Sequence, residues 1–145
     1  MNGDEPGLVI VRGAADGFVQ EIAAGPHHLR SDEPALVGGT GTGATPYDLL
    51  LAALGSCTSM TIAMYARRKK WPLERVTVRL RHSRVHAEDC AACEAENARL
   101  TVIDREIALE GSLDDDQRAR LLAIANRCPV HLTLSARIDI RTTLQ

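Results

Sequence analysis

The stretch that decides the fold occupies residues 45–58 and reads Thr-Pro-Tyr-Asp-Leu-Leu-Leu-Ala-Ala-Leu-Gly-Ser-Cys-Thr. Thr45 suits the N-cap of a helix, Pro46 the first helical position, and Asp48 the acid of a capping box. The rest of the segment is apolar nearly all round, which is typical of a buried helix. We expect this helix to end near Lys70, because Pro72 prevents much extension.

Short strands separated by turns precede this helix. Residues 8–11, 18–22 and 27–30 are three such segments, and the glycines and proline between them predict a small meander. The glycine-rich residues 38–43 follow and invite comparison with a phosphate-binding loop. That motif needs a Lys after the glycines, and none follows here. We therefore interpret the loop as a flexible connection into the helix.

Two alternating segments after the helix predict an antiparallel hairpin. The residues in one phase are Val76, Val78 and Leu80 in the first strand, and Ile103, Arg105, Ile107 and Leu109 in the second. A polar stretch at residues 86–98 separates the two strands.

A second helix and a last strand complete the predicted order. Ser112 is the expected N-cap and Pro129 the expected end of the helix. Its apolar stripe consists of Leu121, Ile124, Ala125 and Cys128, and the last strand is expected to point Ala136, Ile138 and Ile140 inward. The order ββ(β)-α-ββ-α-β predicts an α+β fold with antiparallel sheet around apolar helices.

Length and charge limit the classes of function. A chain of 145 residues suits one domain, here predicted as residues 1–145. The net charge of −2 argues against nucleic acid as a partner, and we interpret the basic run 67–70 as the end of the first helix. The start lacks the pattern of a signal peptide, and the apolar run 49–54 is far too short for a membrane span. We expect a cytoplasmic protein without membrane contact.

The four cysteines form two groups, and each has an ordinary interpretation. Cys57 and Cys128 each lie on an apolar helix, where a free cysteine is often a small buried hydrophobe. Their sulfurs could also meet if the two helices pack together. Cys90 and Cys93, with His86, offer three zinc ligands and no obvious fourth, so we expect no metal site.

Residues 45–58 and the segment Arg127-Cys128-Pro129-Val130-His131 resemble the two cysteine segments of the OsmC/Ohr family. The resemblance covers essentially the whole chain. It implies an intertwined homodimer in which antiparallel sheets wrap two central helices. It also implies reduction of organic hydroperoxides without a cofactor, with Cys57 as the peroxidatic thiolate, Cys128 as the resolving cysteine, and a dithiol reductant of the lipoyl type.

Activation of Cys57 needs a cation, because the helix dipole fades within the first turn. The family supplies an arginine from the N-terminal region, held by an acid at the start of the helix. Arg30 and Arg12 are the candidates here, and Arg30 is preferred because it precedes the glycine loop. Asp48 is the candidate acid, although it lies on the opposite helix face from Cys57 and would serve a partner subunit's site. Where the hydroperoxide-resistance branch has Glu, this chain has Tyr47.

Two alternatives to a peroxidase stay open at this point. One is a non-enzymatic protein that senses redox state or holds a metal through the Cys90 segment. The other is a small-molecule binder that keeps the fold without the chemistry.

Overall fold

The computed structural model describes residues 5–86 and 99–145. It confirms an α+β protein whose sheets are antiparallel. The chain divides into two compact units, Met1–Leu50 and Leu51–Gln145. That residues 1–145 form a single domain stays a prediction.

The first unit contains the predicted meander of three strands. Strand β1 spans Val9–Gly13, β2 spans Gln20–Ala24 and β3 spans His27–Ser31. The strands are antiparallel in the order β1-β2-β3, so β2 lies in the middle. A short 3₁₀ helix follows at Ala35–Val37.

Helix α1 spans Pro46–Lys69 and begins as its sequence predicts. The Thr45 backbone N–H donates to the Asp48 carboxylate at 2.9 Å, and the Asp48 N–H donates to the Thr45 hydroxyl at 3.1 Å. This reciprocal pair is a capping box. The basic residues of the run at 67–69 lie in the last turn, where cations complement the helix dipole. Lys70 then takes a left-handed conformation and ends the helix.

Strands β4 and β5 form the predicted hairpin in the second unit. They span Leu73–His86 and Arg99–Gly111 and pair antiparallel. Leu80 pairs with Arg105 across the hairpin, so both belong to the row of residues that alternation had assigned to the apolar face.

The last two helices differ from the prediction at their ends. Helix α2 spans Asp115–Ala125, and its N-cap is Asp114 instead of Ser112. Asp114 takes the N-cap position because its carboxylate accepts a hydrogen bond from the Gln117 N–H, and the Gln117 side chain accepts one from the Asp114 N–H. Pro129 does not end a helix but begins α3, Pro129–Leu134, because proline suits the first helical position.

The core of the second unit lies between α1 and α2. On α1 the buried residues Leu54, Thr58, Ile62 and Ala66 recur every four positions and form one stripe. Ile62 and Ala66 pack with Leu121 and Ala125 of α2. The predicted stripe on the second helix, including Cys128, is buried.

Two predictions of burial are wrong for the chain as described. Helix α1 is not buried on every side, since Met60 is 69% exposed and Met64 is 43% exposed. The last strand is also wrong, because no residue after Leu134 in the described part 99–145 forms a strand, and Ile138 and Ile140 face solvent. Among the described residues this segment has no partner strand, and an alternating pattern alone does not make a strand.

Helix α1 is long and apolar enough to cross a membrane by length and composition alone. The core helix of a soluble protein meets the same two criteria, so this feature by itself does not indicate a membrane protein.

Candidate functional site: a pair of thiols with a buried hydroxyl and an arginine

Cys128 lies in the junction between α2 and α3 and is fully buried. It is the N-cap residue of α3, and its sulfur accepts a hydrogen bond from the His131 backbone N–H at 3.3 Å. The extended backbone of Cys128 and the proline after it are what turn the chain here. The sulfur is therefore held by the backbone at the start of α3.

Cys57 lies on α1 directly beside the buried stripe and is only partly buried. A hydrogen bond from Cys57 is among the interactions that lower the pKa of the Cys128 thiol, so the two sulfurs lie close together, and both cysteines are free thiols. The structure thus brings together two cysteines that are far apart in the sequence. The sequence allowed the two sulfurs to meet if their helices packed together, and in the structure they lie close to each other.

Thr58 connects the sulfur pair to the rest of the core. Its side chain is fully buried, and its hydroxyl donates to the Leu54 carbonyl at 2.7 Å or to the Cys128 sulfur at 3.8 Å. The same oxygen accepts a hydrogen bond from Nη1 of Arg105 at 3.0 Å. The Thr58 hydroxyl therefore links the Arg105 guanidinium to the Cys128 sulfur, which the spacing of Thr58 in an apolar stripe does not predict.

Arg105 reaches this cluster from β5. Its Nη2 donates to the Asn126 side-chain oxygen at 2.9 Å and its Nη1 to the Ala125 carbonyl at 3.5 Å. These two acceptors stand at the C-terminal end of α2, where a cation is favourable. Sequence reasoning did not choose Arg105 as a site residue. The sequence did contain a signal for it: Arg105 is charged, whereas the residues that alternate with it on the same strand face, Ile103, Ile107 and Leu109, are apolar.

The pKa of the Cys128 thiol is lowered although the sulfur is buried. Burial raises the pKa of this thiol, because desolvation disfavours the thiolate. Hydrogen bonds outweigh that effect: the His131 N–H, the Cys57 thiol, the Thr58 hydroxyl and the Val130 N–H all stabilise the anion. The arrangement favours negative charge on this sulfur.

An open groove of about 430 Å³ lies beside the cluster. Arg105, Asn126 and His131 supply its polar wall. The remaining lining residues are Leu54, Thr101, Ile103, Ile107, Leu122, Leu134 and Ser135. A groove with an apolar wall and a few convergent polar groups is typical of sites for small organic molecules.

The other two predicted site residues lie elsewhere. Asp48 is exposed in the first turn of α1, where its carboxylate belongs to the capping box. Arg30 is exposed on β3 opposite Glu21 and lines a groove of about 410 Å³ together with Arg12. The catalytic roles of Asp48 and Arg30 stay predictions.

A buried acid that the sequence did not single out organises the glycine loop. Asp32 is almost fully buried and accepts hydrogen bonds from the backbone and hydroxyl of Thr40, from the same two groups of Thr42, and from the Glu33 N–H. The Thr40 hydroxyl is the largest of the effects that hold the pKa of Asp32 far below its usual range. Thr40 and Thr42 thus give their backbone N–H groups and their hydroxyls to the Asp32 carboxylate.

Within residues 5–86 and 99–145 no three His, Cys, Asp or Glu side chains cluster closely enough to hold a metal ion. Cys90 and Cys93 lie outside the described residues, as does the side chain of His86.

Comparison with known proteins identifies the family. A family model described as OsmC-like protein matches residues 39–143. The chain belongs to the OsmC-like family. The matched range of this OsmC-like protein includes both cysteines of the thiol pair, Thr58 and Arg105, whereas Arg30 precedes it. No curated protein sequence matches the chain.

Solved structures share the OsmC-like fold at low sequence identity. An OsmC-like protein from Mycoplasma pneumoniae superposes with a TM-score of 0.71 at 17% identity, covering 88% of this chain and 86% of that one. An organic hydroperoxide resistance protein OsmC from Legionella pneumophila gives 0.63 at 23%, covering 88% and 87%. The organic hydroperoxide resistance protein OhrB of Bacillus subtilis gives 0.63 at 17%, covering 91% and 92%. At these identities the likeness confirms the fold alone.

Proposed function

We propose that this OsmC-like protein is a thiol peroxidase that reduces organic hydroperoxides with Cys57 and Cys128. The single observation that carries the proposal is that two free thiols lie close enough for Cys57 to lower the pKa of Cys128 through a hydrogen bond. A pair of cysteines in contact can pass from dithiol to disulfide with small movements. The names of the similar structures from Legionella and Bacillus agree with hydroperoxides as the substrate class.

The order of events follows from exposure. Cys57 is partly exposed whereas Cys128 is fully buried, so a peroxide meets Cys57 first. The Cys57 thiolate attacks the terminal peroxide oxygen, the O–O bond breaks, and an alcohol leaves after protonation. Cys57 is then a sulfenic acid. The Cys128 thiolate attacks its sulfur, forms the disulfide and releases hydroxide.

A dithiol reductant completes the cycle in this proposal. Its first thiolate attacks the disulfide to give a mixed disulfide, and its second thiol releases the protein as the dithiol. A dithiol of the lipoyl type suits this step because its second thiol is held close to the first. A cytoplasmic location is part of the proposal, because the cytosol keeps thiols reduced.

We also propose that the protein works as a homodimer. The exposed methionines of α1 and the exposed isoleucines at 138 and 140 are apolar surface that a second copy of the chain would cover. The family resemblance implies an intertwined dimer, and in that arrangement Arg30 and Asp48 would complete a site around Cys57.

Comparing Arg30→Met with Arg12→Met tests the choice of arginine: we expect only Arg30→Met to slow peroxide reduction.

Steady-state turnover tests the peroxidase. Purified protein is mixed with cumene hydroperoxide and dihydrolipoamide, and peroxide loss is followed. We expect Cys57→Ser to abolish turnover and Cys128→Ser to stop the cycle at a sulfenic acid that dimedone traps. Cys90→Ser with Cys93→Ser is the matched control and should keep turnover. Full activity in Cys57→Ser would overturn the proposal.

A further inference from the structure

A continuous hydrogen-bonded path joins the Arg105 guanidinium to the thiol pair. Arg105 donates to the Thr58 hydroxyl, which lies 3.8 Å from the Cys128 sulfur, and Cys128 in turn contacts the Cys57 thiol. All four side chains belong to the same compact unit. The path leads a positive charge towards the more buried sulfur of the pair.

We infer that Cys128 rests as a thiolate, held by Thr58 and by Arg105 behind it, and accepts the Cys57 proton before Cys57 attacks the peroxide. The inference rests on the proposed peroxidase function and assigns two further positioning residues to it. Cys128 would then act twice, first as the proton acceptor and later as the resolving nucleophile.

The Thr58 hydroxyl has one proton and two acceptors within reach. It can donate to the Leu54 carbonyl, at 2.7 Å, or turn towards the Cys128 sulfur. Because Arg105 donates to the same oxygen, the hydroxyl proton must point away from the guanidinium, towards one of these two acceptors. A charged sulfur is the stronger acceptor, so a Cys128 thiolate draws this proton to itself.

Arg105 is held in place from its other side. Its bonds to the Asn126 side chain and the Ala125 carbonyl fix the guanidinium at the end of α2. Among the titratable or charged residues, Cys57 on α1 hydrogen-bonds to Cys128 and Arg105 on β5 reaches it through Thr58. The exposed Arg127 precedes Cys128 in the chain, and His131 on α3 donates its backbone N–H to the sulfur. Both arginines are positive, so their combined field favours a thiolate.

The proton balance closes with this assignment. The Cys57 thiol gives its proton to the Cys128 thiolate, and the Cys57 thiolate then attacks the hydroperoxide. The alkoxide that leaves takes the proton from Cys128 and departs as an alcohol. Cys128, again a thiolate, attacks the Cys57 sulfenic acid, forms the disulfide and releases hydroxide. The peroxide is reduced by two electrons and the thiol pair is oxidised by two.

The first test measures the oxidation of Cys57 in a single turnover with cumene hydroperoxide at neutral pH. All proteins carry Cys90→Ser and Cys93→Ser, so that only the thiol pair reacts. A purely resolving Cys128 would leave this first step unchanged in Cys128→Ser. We expect the step to slow by at least about tenfold, because a lost proton acceptor commonly costs a factor of 10²–10⁴. An unchanged rate would overturn the inference.

The second test titrates Cys128 alone, in protein that also carries Cys57→Ser, by the ultraviolet absorbance of the thiolate. We expect Arg105→Met and Thr58→Val to move its ionisation to higher pH, and Thr58→Ser and Arg105→Lys to restore much of the shift. Arg127→Met is the matched control, because it removes an exposed positive charge next to Cys128, and it should have a smaller effect than Arg105→Met. Equal effects of the two arginine-to-methionine changes, or no effect of Thr58→Val, would contradict the inference.

These measurements separate the inference from the proposed function. The titration uses reduced protein and no peroxide, so it reports on the Cys128 thiolate even if the protein turns nothing over. Conversely, normal turnover with an unshifted titration in Arg105→Met would leave the peroxidase standing and remove the role of Arg105. Circular dichroism of each variant checks that it is folded.

Discussion

Oxidation of the thiol pair should make the protein markedly more resistant to denaturant. Cys57 and Cys128 are in contact in the folded chain but are separated by about 70 positions in the sequence. A disulfide between them would close a loop of that size in the unfolded chain, and the loss of chain entropy is worth about 4 kcal/mol. Adjustment of the packed junction around Cys128 reduces the gain, so we expect a rise of about 2–4 kcal/mol in the free energy of unfolding.

Urea unfolding of the Cys90→Ser/Cys93→Ser protein measures this rise. One sample is reduced and the other is oxidised with one equivalent of cumene hydroperoxide, both at the same protein concentration, because association also shifts the midpoint. With a slope of about 2 kcal/mol/M, the midpoint should increase by about 1–2 M. Adding Cys57→Ser should abolish the difference. Equal midpoints in a sample whose mass confirms the disulfide would refute the reasoning.

Three further predictions follow from the packing. Leu121→Ala should lower the free energy of unfolding by about 2–5 kcal/mol in urea titrations, because Leu121 is fully buried. Leu122→Ala, at an exposed neighbouring position, should lower it much less. Equal losses would contradict the assignment of Leu121 to the core. Asp32→Asn should lower the melting temperature at neutral pH. Because the pKa of Asp32 is depressed in the folded state, its stabilisation is complete above the unfolded value of about 3.9 and is lost as pH falls through the folded value, so melting curves of variant and wild type should converge only in strong acid. Met60→Glu should shift the protein towards monomer in light scattering, and an unchanged mass would remove α1 from the proposed dimer interface.

Local signals predicted most of the elements. The capping residues placed the start of α1, and alternation placed both strands of the β4–β5 hairpin. Two errors occurred where neighbouring residues compete for one position. Asp114 is the N-cap of α2 instead of Ser112, because the Gln117 side chain completes a capping box with it. Pro129 was assigned to the end of a helix because proline stops one helix and starts another with equal ease.

The site was predicted only in part. The two cysteines were selected by resemblance, since a cysteine on an apolar helix looks the same whether it is core or catalytic. Arg105 was not predicted as a site residue, although it is the one charged residue among the alternating apolar residues Ile103, Ile107 and Leu109. Its partners, Thr58 and Asn126, come from two other elements, and a hydrogen bond between elements leaves no trace in local spacing.

The sequence by itself determined the three-strand meander, helix α1 with Cys57 on it, the β4–β5 hairpin and the order of these elements, because they depend on periodicity and on interactions within a few residues. Only the tertiary structure decided which sulfur is buried, which hydroxyl stands beside it and which arginine lies behind that hydroxyl. The physical reason is that the charge of a thiol depends on all the donors within a few ångströms. For Cys128 those donors come from α1 as well as α3, and the cation behind them comes from β5.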